Sequence, residues 1–150
     1  MSPSGEIFEK TPDEIGFSYR KSQLKAGWLF ISCVLRLEFG DKDEIRHKMR
    51  EINKNRATSQ PLNMPSSGSW FKNPIINGEK VNAWKVVDEA GCRGMRVGGA
   101  MVSEKHTNFF VNAGGATASE MLTLTEKVEQ QIKEKLGIEM VREVRTMGEA

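Results

Sequence analysis

The strongest constraint on the fold comes from residues 28–39, where every odd position from 29 onward is apolar. These side chains belong to Leu29, Ile31, Cys33, Leu35, Leu37 and Phe39. Successive side chains of a strand point to opposite faces of a sheet, so this pattern predicts a strand with one buried face. Such a strand needs a sheet and a covering layer, since an isolated strand pair is marginal in water. Residues 1–27 are polar, and short strands are expected at 6–10 and 16–19. They supply little of the sheet or of the covering layer. We therefore expect residues 1–40 to belong to a larger domain.

The next twenty residues predict a connecting helix and a linker. Asp41 is a suitable N-cap, and Ile45, Met49 and Ile52 form a narrow apolar stripe on a charged helix that ends near Arg56. Two prolines and three serines over residues 60–69 then predict a loop, because proline interrupts helices and removes a ladder donor.

Residues 61–150 alternate helical and strand patterns, which indicates a small mixed domain. A capping box formed by Thr117 and Glu120 opens a long helix that stops at Gly137. Its buried stripe consists of Leu124, Val128, Ile132 and Leu136. The other predicted elements are a helix at 81–90 and strands at 95–102, 108–112 and 141–147. The chain is thus predicted to be α+β, with domain boundaries at 1–40, 41–60 and 61–150.

Composition argues against several function classes. No apolar run approaches the ~20 residues that span a bilayer, and residues 1–20 do not resemble a signal peptide. The formal charge is only +2, and basic and acidic residues are interspersed, which argues against a nucleic-acid partner. Two cysteines and two histidines without ligand spacing predict no metal site. We expect a reduced, cytoplasmic protein.

The first candidate site is the run from Ser67 to Pro74. Small residues flank Ser69 and let a backbone approach a ligand, while Lys72 and Asn73 could contact an anion or a hydroxyl. The alternative is a turn in which the serines bond their own backbone. Trp70 is assigned to packing.

Two further candidates carry charge. Glu143 and Arg145 would project from the same face of the final strand, where an acid beside a guanidinium could hold a carboxylate and supply a proton. The alternative is a salt-bridged edge strand. Around Tyr19, Arg20 and Ser22, cations lie beside hydroxyls and could hold a phosphate or a carboxylate, although plain surface is the alternative.

Two smaller features complete the set of candidates. The glycines at 98 and 99 fall in a strand-like run, and we interpret them as close packing or a bulge rather than a dinucleotide fingerprint. His106 is interpreted as a loop histidine, and Lys105 beside it could meet a phosphate.

Taken in order, these segments resemble the UDP-N-acetylenolpyruvoylglucosamine reductase family, and the match runs from about Gly16 to Arg145. The matching segments are Tyr19-Arg20-Lys21-Ser22, Gln60-Pro61, Pro65-Ser66-Ser67-Gly68-Ser69, Phe71-Lys72-Asn73-Pro74, Asp88-Glu89-Ala90-Gly91-Cys92-Arg93-Gly94, Val97-Gly98-Gly99-Ala100, Val102-Ser103-Glu104-Lys105-His106, Asn108-Phe109, Gly137-Ile138-Glu139 and Arg142-Glu143-Val144-Arg145. Residues 75–79 depart from the more glycine-rich continuation expected of the family.

The resemblance implies reduction of UDP-N-acetylglucosamine enolpyruvate to UDP-N-acetylmuramate for peptidoglycan synthesis. Hydride would pass from NADPH through FAD to C3 of the enolpyruvyl group. It implies Ser69 as the proton donor to C2, and Arg20 and Glu143 as the groups that stabilise the enolate-like intermediate. The implied substrate contacts are Lys72, Asn73, Lys105 and Arg145, and the implied cofactor contacts are Tyr19 and Ser22.

The resemblance also implies that residues 1–40 are only the last strands of a flavin-binding domain, followed by the substrate-binding domain at 61–150. No set of backbone donors for a flavin pyrophosphate is recognisable, so the isolated chain is expected to hold no FAD tightly and to be inactive. Alternatives are a non-catalytic UDP-sugar-binding module, one half of a split reductase completed by a separate flavin-domain chain, or a truncated product.

Overall fold

The structure, a computed structural model, describes residues 1–148. It consists of two compact units, Met1–Gly40 and the residues from Asp41 onward. The last two residues of the predicted domain 61–150 lie outside the described residues.

The first unit is built from turns. Helix α1 (Pro12–Ile15) begins with a capping box between Thr11 and Glu14 that the sequence analysis missed. Ser18 and Lys21 form an isolated antiparallel bridge, and no longer strand occurs in the described residues of this unit.

The strand predicted at 28–39 is therefore wrong, as are the short ones at 6–10 and 16–19. Main-chain bonds join Leu29 to Met1, but the stretch beyond has no neighbouring strand to complete a ladder. Its apolar side chains are exposed, with Val34 at 101% and Phe39 at 110%. The alternation in the sequence thus reflects a face that nothing within this unit covers.

Helix α2 (Lys42–Ser59) confirms the predicted connecting helix and runs three residues beyond Arg56. The Asp41 carboxylate accepts from the N–H groups of Asp43 and Glu44, as expected of an N-cap. Every residue of α2 is exposed, including the predicted apolar stripe.

A four-stranded antiparallel sheet forms the centre of the second unit, in the order β1-β6-β5-β4. The strands of this unit are β1 (Ser66–Ser69), β2 (Ile75–Ile76), β3 (Glu79–Lys80), β4 (Arg96–Val97), β5 (Ala100–Val102) and β6 (Phe109–Asn112). Strand β1 forms where a loop was predicted, because pairing with β6 overrides the poor strand propensity of serine and glycine. Strands β2 and β3 make a hairpin through Asn77 and Gly78, both at positive φ, as a two-residue Asn-Gly turn requires.

The strand predicted at 95–102 is instead the β4–β5 hairpin, in which Val97 pairs with Ala100. Gly98 lies in the turn with a φ of 53°. The prediction of close packing is confirmed at Gly99, where a Cβ would lie 2.3 Å from the carbonyl oxygen of Gly114 and 2.5 Å from the nitrogen of Ala116. Both are backbone atoms, so only glycine fits here.

Two helices complete the fold: α3 (Ala83–Glu89), which is shorter than predicted, and α4 (Ala118–Leu136). The capping box of Thr117 and Glu120 and the left-handed Gly137 at the end of α4 are confirmed. Hydrogen bonds from the N–H groups of Thr117 and Gly99 lower the pKa of Glu120 and tie the start of α4 to the β4–β5 turn.

Helix α4 contacts β4 and β5, and α3 packs against α4. The core between them contains Trp70, Phe71, Val86, Val87, Val102, Phe110, Leu124, Val128 and Ile132, all fully or nearly fully buried. This mixture of helices with an antiparallel sheet confirms the α+β fold. No helix among residues 1–148 is both long and apolar enough to cross a membrane.

Candidate functional site

Ser69 is half-buried at the end of β1, opposite Phe109 of β6. The register between β1 and β6 shifts between Ser66 and Ser69, and Gly68 lies there with a φ of 83°. A bulge of this kind bends the strand and redirects the side chain that follows it. Glycine is needed at 68 because side chains disfavour that φ, so the glycine sets the direction of Ser69.

Glu143 lies opposite Trp70, the residue that follows Ser69. The predicted strand at 141–147 reduces to one bridge, in which Arg142 pairs with Phe71. The N–H of Glu143 donates to the carbonyl of Trp70, and the N–H of Lys72 donates to the carbonyl of Val141, each at 2.8 Å. Glu143 therefore faces the residue that follows Ser69. The longer strand is wrong because residues 144–148 pair with no further strand.

Arg142 holds this segment on α4 through an ion pair that the sequence analysis missed. Its Nε and Nη2 donate to the two carboxylate oxygens of Glu129 at 2.7 and 2.6 Å. These hydrogen bonds raise the pKa of Arg142, whose guanidinium stays charged. The sequence predicts that Glu143 and Arg145 together hold a carboxylate from one face of a strand. Arg145 is exposed and lies outside any strand.

Two predicted substrate contacts already bond to the protein. The Asn73 side-chain oxygen accepts from the N–H of Ala83 at 2.9 Å and caps the start of α3. The ammonium of Lys105, which is exposed, donates to the carbonyl of Ala57 near the end of α2. Lys72 is half-buried beside Ser69.

The remaining predicted site residues, Tyr19, Arg20 and Ser22, belong to the first unit and are all exposed. Ser18 and Lys21 exchange two main-chain hydrogen bonds, so Tyr19 and Arg20 form the tip of a tight turn. Arg20 has a φ of 59°, which costs an L residue about 1–2 kcal/mol. Strained residues of this kind cluster at functional positions, and its guanidinium lies 5.6 Å from the centre of the Tyr19 ring.

Asn108 is 4% exposed and was not among the predicted site residues. Its side-chain oxygen accepts from the N–H of Phe71, and its side-chain nitrogen donates to the carbonyl of Phe71, both at 2.9 Å. Asparagine carries one acceptor and one donor group, so it can satisfy both polar groups of a single residue. A lone asparagine before an apolar strand gives no signal of this role.

His106 lies half-buried beside Asn108, with its ring edge on Phe109 at 4.7 Å between centroids. Its Nδ1 accepts from the N–H of Asn108 at 3.3 Å. Burial lowers the pKa of His106, and the charge of Arg93 lowers it further.

We expect His106 to make the second unit less stable in mild acid. Because its pKa is lowered in the fold, the unfolded chain takes up the proton more readily, and stability is lost as pH falls below about 6.5. Urea unfolding between about pH 7 and 5 should show a shallower pH slope for His106→Gln than for the parent.

His47→Gln is the matched control, because His47 is the other histidine of the chain and lies exposed on α2. The pH slope should be shallower for His106→Gln than for His47→Gln. Equal slopes for the parent and His106→Gln would contradict the expectation.

The described residues were also tested as a site for a cofactor or metal. The cap side chains of Thr11 and Thr117 accept from one amide each in α1 and α4, and Asp41 accepts from two in α2. The N–H of Ala83 at the start of α3 donates to Asn73. A pyrophosphate needs available amides at a helix start, so these capped starts are poor sites for the pyrophosphate of FAD. Residues 1–148 also hold no group of three or more His, Cys, Asp or Glu side chains placed to bind a metal ion.

Comparison with known proteins identifies the family of the chain. A family profile described as "UDP-N-acetylenolpyruvoylglucosamine reductase, C-terminal domain" matches residues 60–147. Proteins named UDP-N-acetylenolpyruvoylglucosamine reductase from Carboxydothermus hydrogenoformans and Paramagnetospirillum magneticum are 43% and 44% identical to the chain. Each match covers 99% of this chain but only 48% and 47% of the relative. The chain thus spans about half the length of the curated relatives it matches.

A solved structure gives the same result. The crystal structure of UDP-N-acetylenolpyruvylglucosamine reductase from Thermus caldophilus matches with a TM-score of 0.72 and 40% sequence identity, over 87% of this chain and 46% of that one. The chain therefore belongs to the UDP-N-acetylenolpyruvoylglucosamine reductase family and carries its carboxy-terminal domain.

Proposed function

We propose that this chain supplies the proton-transfer half of a cytoplasmic reductase that converts UDP-N-acetylglucosamine enolpyruvate to UDP-N-acetylmuramate for peptidoglycan synthesis. The observation that carries the proposal is the pairing of residues 141–143 with residues 70–72. It holds the main chain of Glu143 against Trp70, the residue that follows Ser69, and this supports a shared site for the two side chains.

The reaction adds a hydride to C3 of the enolpyruvyl group and a proton to C2. Negative charge builds on the substrate carboxylate after hydride addition, and Ser69 then gives its hydroxyl proton to C2 and is reprotonated from solvent. Arg20 and Glu143 stabilise the developing charge electrostatically and by hydrogen bonding. The family uses NADPH and FAD as the hydride source, and we expect the isolated chain to hold no FAD tightly, because the starts of its described helices are capped.

The substrate contacts are those that the family resemblance implies. Lys72 and Arg145 are proposed to bind the nucleotide sugar from either side of the Ser69–Glu143 pair. Asn73 keeps its side-chain nitrogen for substrate, because its oxygen caps α3. Lys105 stays a predicted phosphate contact that must exchange the Ala57 carbonyl for the ligand. Tyr19 and Ser22 are proposed to contact the cofactor.

The test compares three preparations: the isolated chain, the chain mixed with the part of the Carboxydothermus relative that it does not cover, and the two joined in one polypeptide, called here the fused reductase. We expect the isolated chain to be colourless and inactive. The fused reductase should bind stoichiometric flavin and oxidise NADPH only when the enolpyruvyl substrate is present. Stoichiometric flavin in the isolated chain would contradict its expected inactivity. Oxidation of NADPH without substrate would contradict the activity expected of the fused reductase.

The same experiment separates the alternatives. Activity in the mixture indicates a split reductase, with the apolar stretch at 29–39 as the surface that the second chain covers. Calorimetric binding of UDP-N-acetylglucosamine to the isolated chain, with an inactive fused reductase, indicates a non-catalytic sugar-nucleotide module.

A further inference from the structure

Asn108 is a buried polar residue to which the proposed chemistry gives no role. It immediately precedes β6, and its main-chain carbonyl accepts from the N–H of Trp70 at 2.8 Å. Its side chain bonds to both main-chain groups of Phe71. Three hydrogen bonds from one residue therefore hold the two residues that follow Ser69.

These bonds fix a departure from regular strand geometry. Successive N–H groups of a strand normally point to opposite edges, yet those of Trp70 and Phe71 both donate to Asn108. The backbone must therefore rotate between these two residues, directly after the bulge at Gly68. The direction of the Ser69 side chain depends on that rotation.

The other edge of the same segment carries the acid. The carbonyl of Trp70 accepts from the N–H of Glu143, and the bridge at Phe71 pairs with Arg142. The segment 70–72 is thus held between Asn108 on one side and residues 141–143 on the other. A shift of this segment between its two edges would displace Ser69, which directly precedes it.

An amide side chain is required at this position. Continued from Ser69 and Phe109, the register would place the main chain of Thr107 opposite Phe71. The main-chain groups of Phe71 bond instead to the Asn108 side chain, which takes the place of that ladder partner. A carboxylate offers no donor to the Phe71 carbonyl, and a serine side chain is shorter by one group.

We propose that Asn108 is a positioning residue for the proton transfer: it clamps Trp70 and Phe71 so that the Ser69 hydroxyl stays aligned with the substrate and Glu143. This rests on the proposed function. Asn108 acts through Ser69, so its effect falls on the rate of the chemical step rather than on substrate binding.

The test uses the fused reductase and a double-mutant cycle. Asn108→Asp should lower kcat roughly 100-fold, as expected of a misplacement near 1 Å, with little change in KM for the enolpyruvyl substrate. In the Ser69→Ala background the same change should lower kcat by no more than about threefold, because the hydroxyl that it positions is already gone. Flavin content and the thermal midpoint of unfolding report folding.

Asn112→Asp is the matched control in the same strand. The side-chain oxygen of Asn112 accepts from the N–H groups of Gly114 and Ala116, and a carboxylate keeps both bonds, so kcat should not change. Asn108→Ser removes the clamp without adding charge and replaces Asn108→Asp if that variant does not fold.

Each outcome decides the proposal. Three outcomes would show that Asn108 has a structural role only. The first is an equal loss of kcat in the parent and in the Ser69→Ala background. The others are a rise in KM that accounts for the lost activity, and failure of both Asn108 variants to fold. An inactive parent instead contradicts the proposed function, which separates the two failures.

Discussion

Ser69→Ala will slow substrate reduction by the fused reductase about a thousandfold, within the range that general acids contribute. A methyl group has no proton to give, so C2 must be protonated by water that nothing orients. The loss corresponds to about 4 kcal/mol of activation free energy. It is measured as kcat from substrate-dependent NADPH oxidation at saturating substrate.

Ser67→Ala is the control, since Ser67 lies in the same strand and is exposed. It should leave kcat within a few-fold of the parent. If Ser69→Ala keeps most of the activity while the control behaves as expected, another group donates the proton.

Phe110→Ala will destabilise the second unit by about 4 kcal/mol, a large fraction of the 5–15 kcal/mol typical of a whole domain. Phe110 is fully buried and stacks on Trp70 at 4.7 Å between centroids with a 9° interplanar angle. Its ring also meets Phe71 edge-on at 5.8 Å. Removal of the ring leaves a cavity under the segment that carries Ser69.

Urea unfolding followed by far-ultraviolet circular dichroism measures this loss. Ile75→Ala is the control, because Ile75 is 74% exposed and its removal opens no cavity. The control should cost well under 1 kcal/mol. A similarly small loss for Phe110→Ala would show that the aromatic stack does not support the sheet.

Elements that are specified locally could be predicted from the sequence. The N-cap Asp41, the capping box at Thr117 and the stop at Gly137 each depend on contacts within one helical turn. The buried stripe of α4 follows from its period. These are the features that a short window of sequence contains.

Elements that depend on a distant partner could not be predicted in the same way. Strand β1 consists of serines and glycine and exists because β6 pairs with it. The stretch at 28–39 has the reverse problem, since its alternation is clear but no strand pairs with it in the first unit. Strand patterns report which face is apolar and do not report whether a neighbour is present.

The candidate site also contains residues that could be predicted from the sequence and residues that depend on distant partners. Ser69 and Glu143 are predicted through the resemblance, and Glu143 bonds to Trp70, the residue that follows Ser69. Asn108 and the Arg142–Glu129 ion pair hold the segments around them, and their partners lie 37 and 13 residues away in sequence. No spacing rule connects such residues, so only the fold reveals them.

Gly99 has a consequence for how the second unit can evolve. The sheet meets the entry to α4 through a contact that leaves no space for one carbon atom. No compensating change in a neighbouring side chain can relieve a clash with main-chain atoms. An insertion or deletion between 99 and 116 must therefore keep this contact.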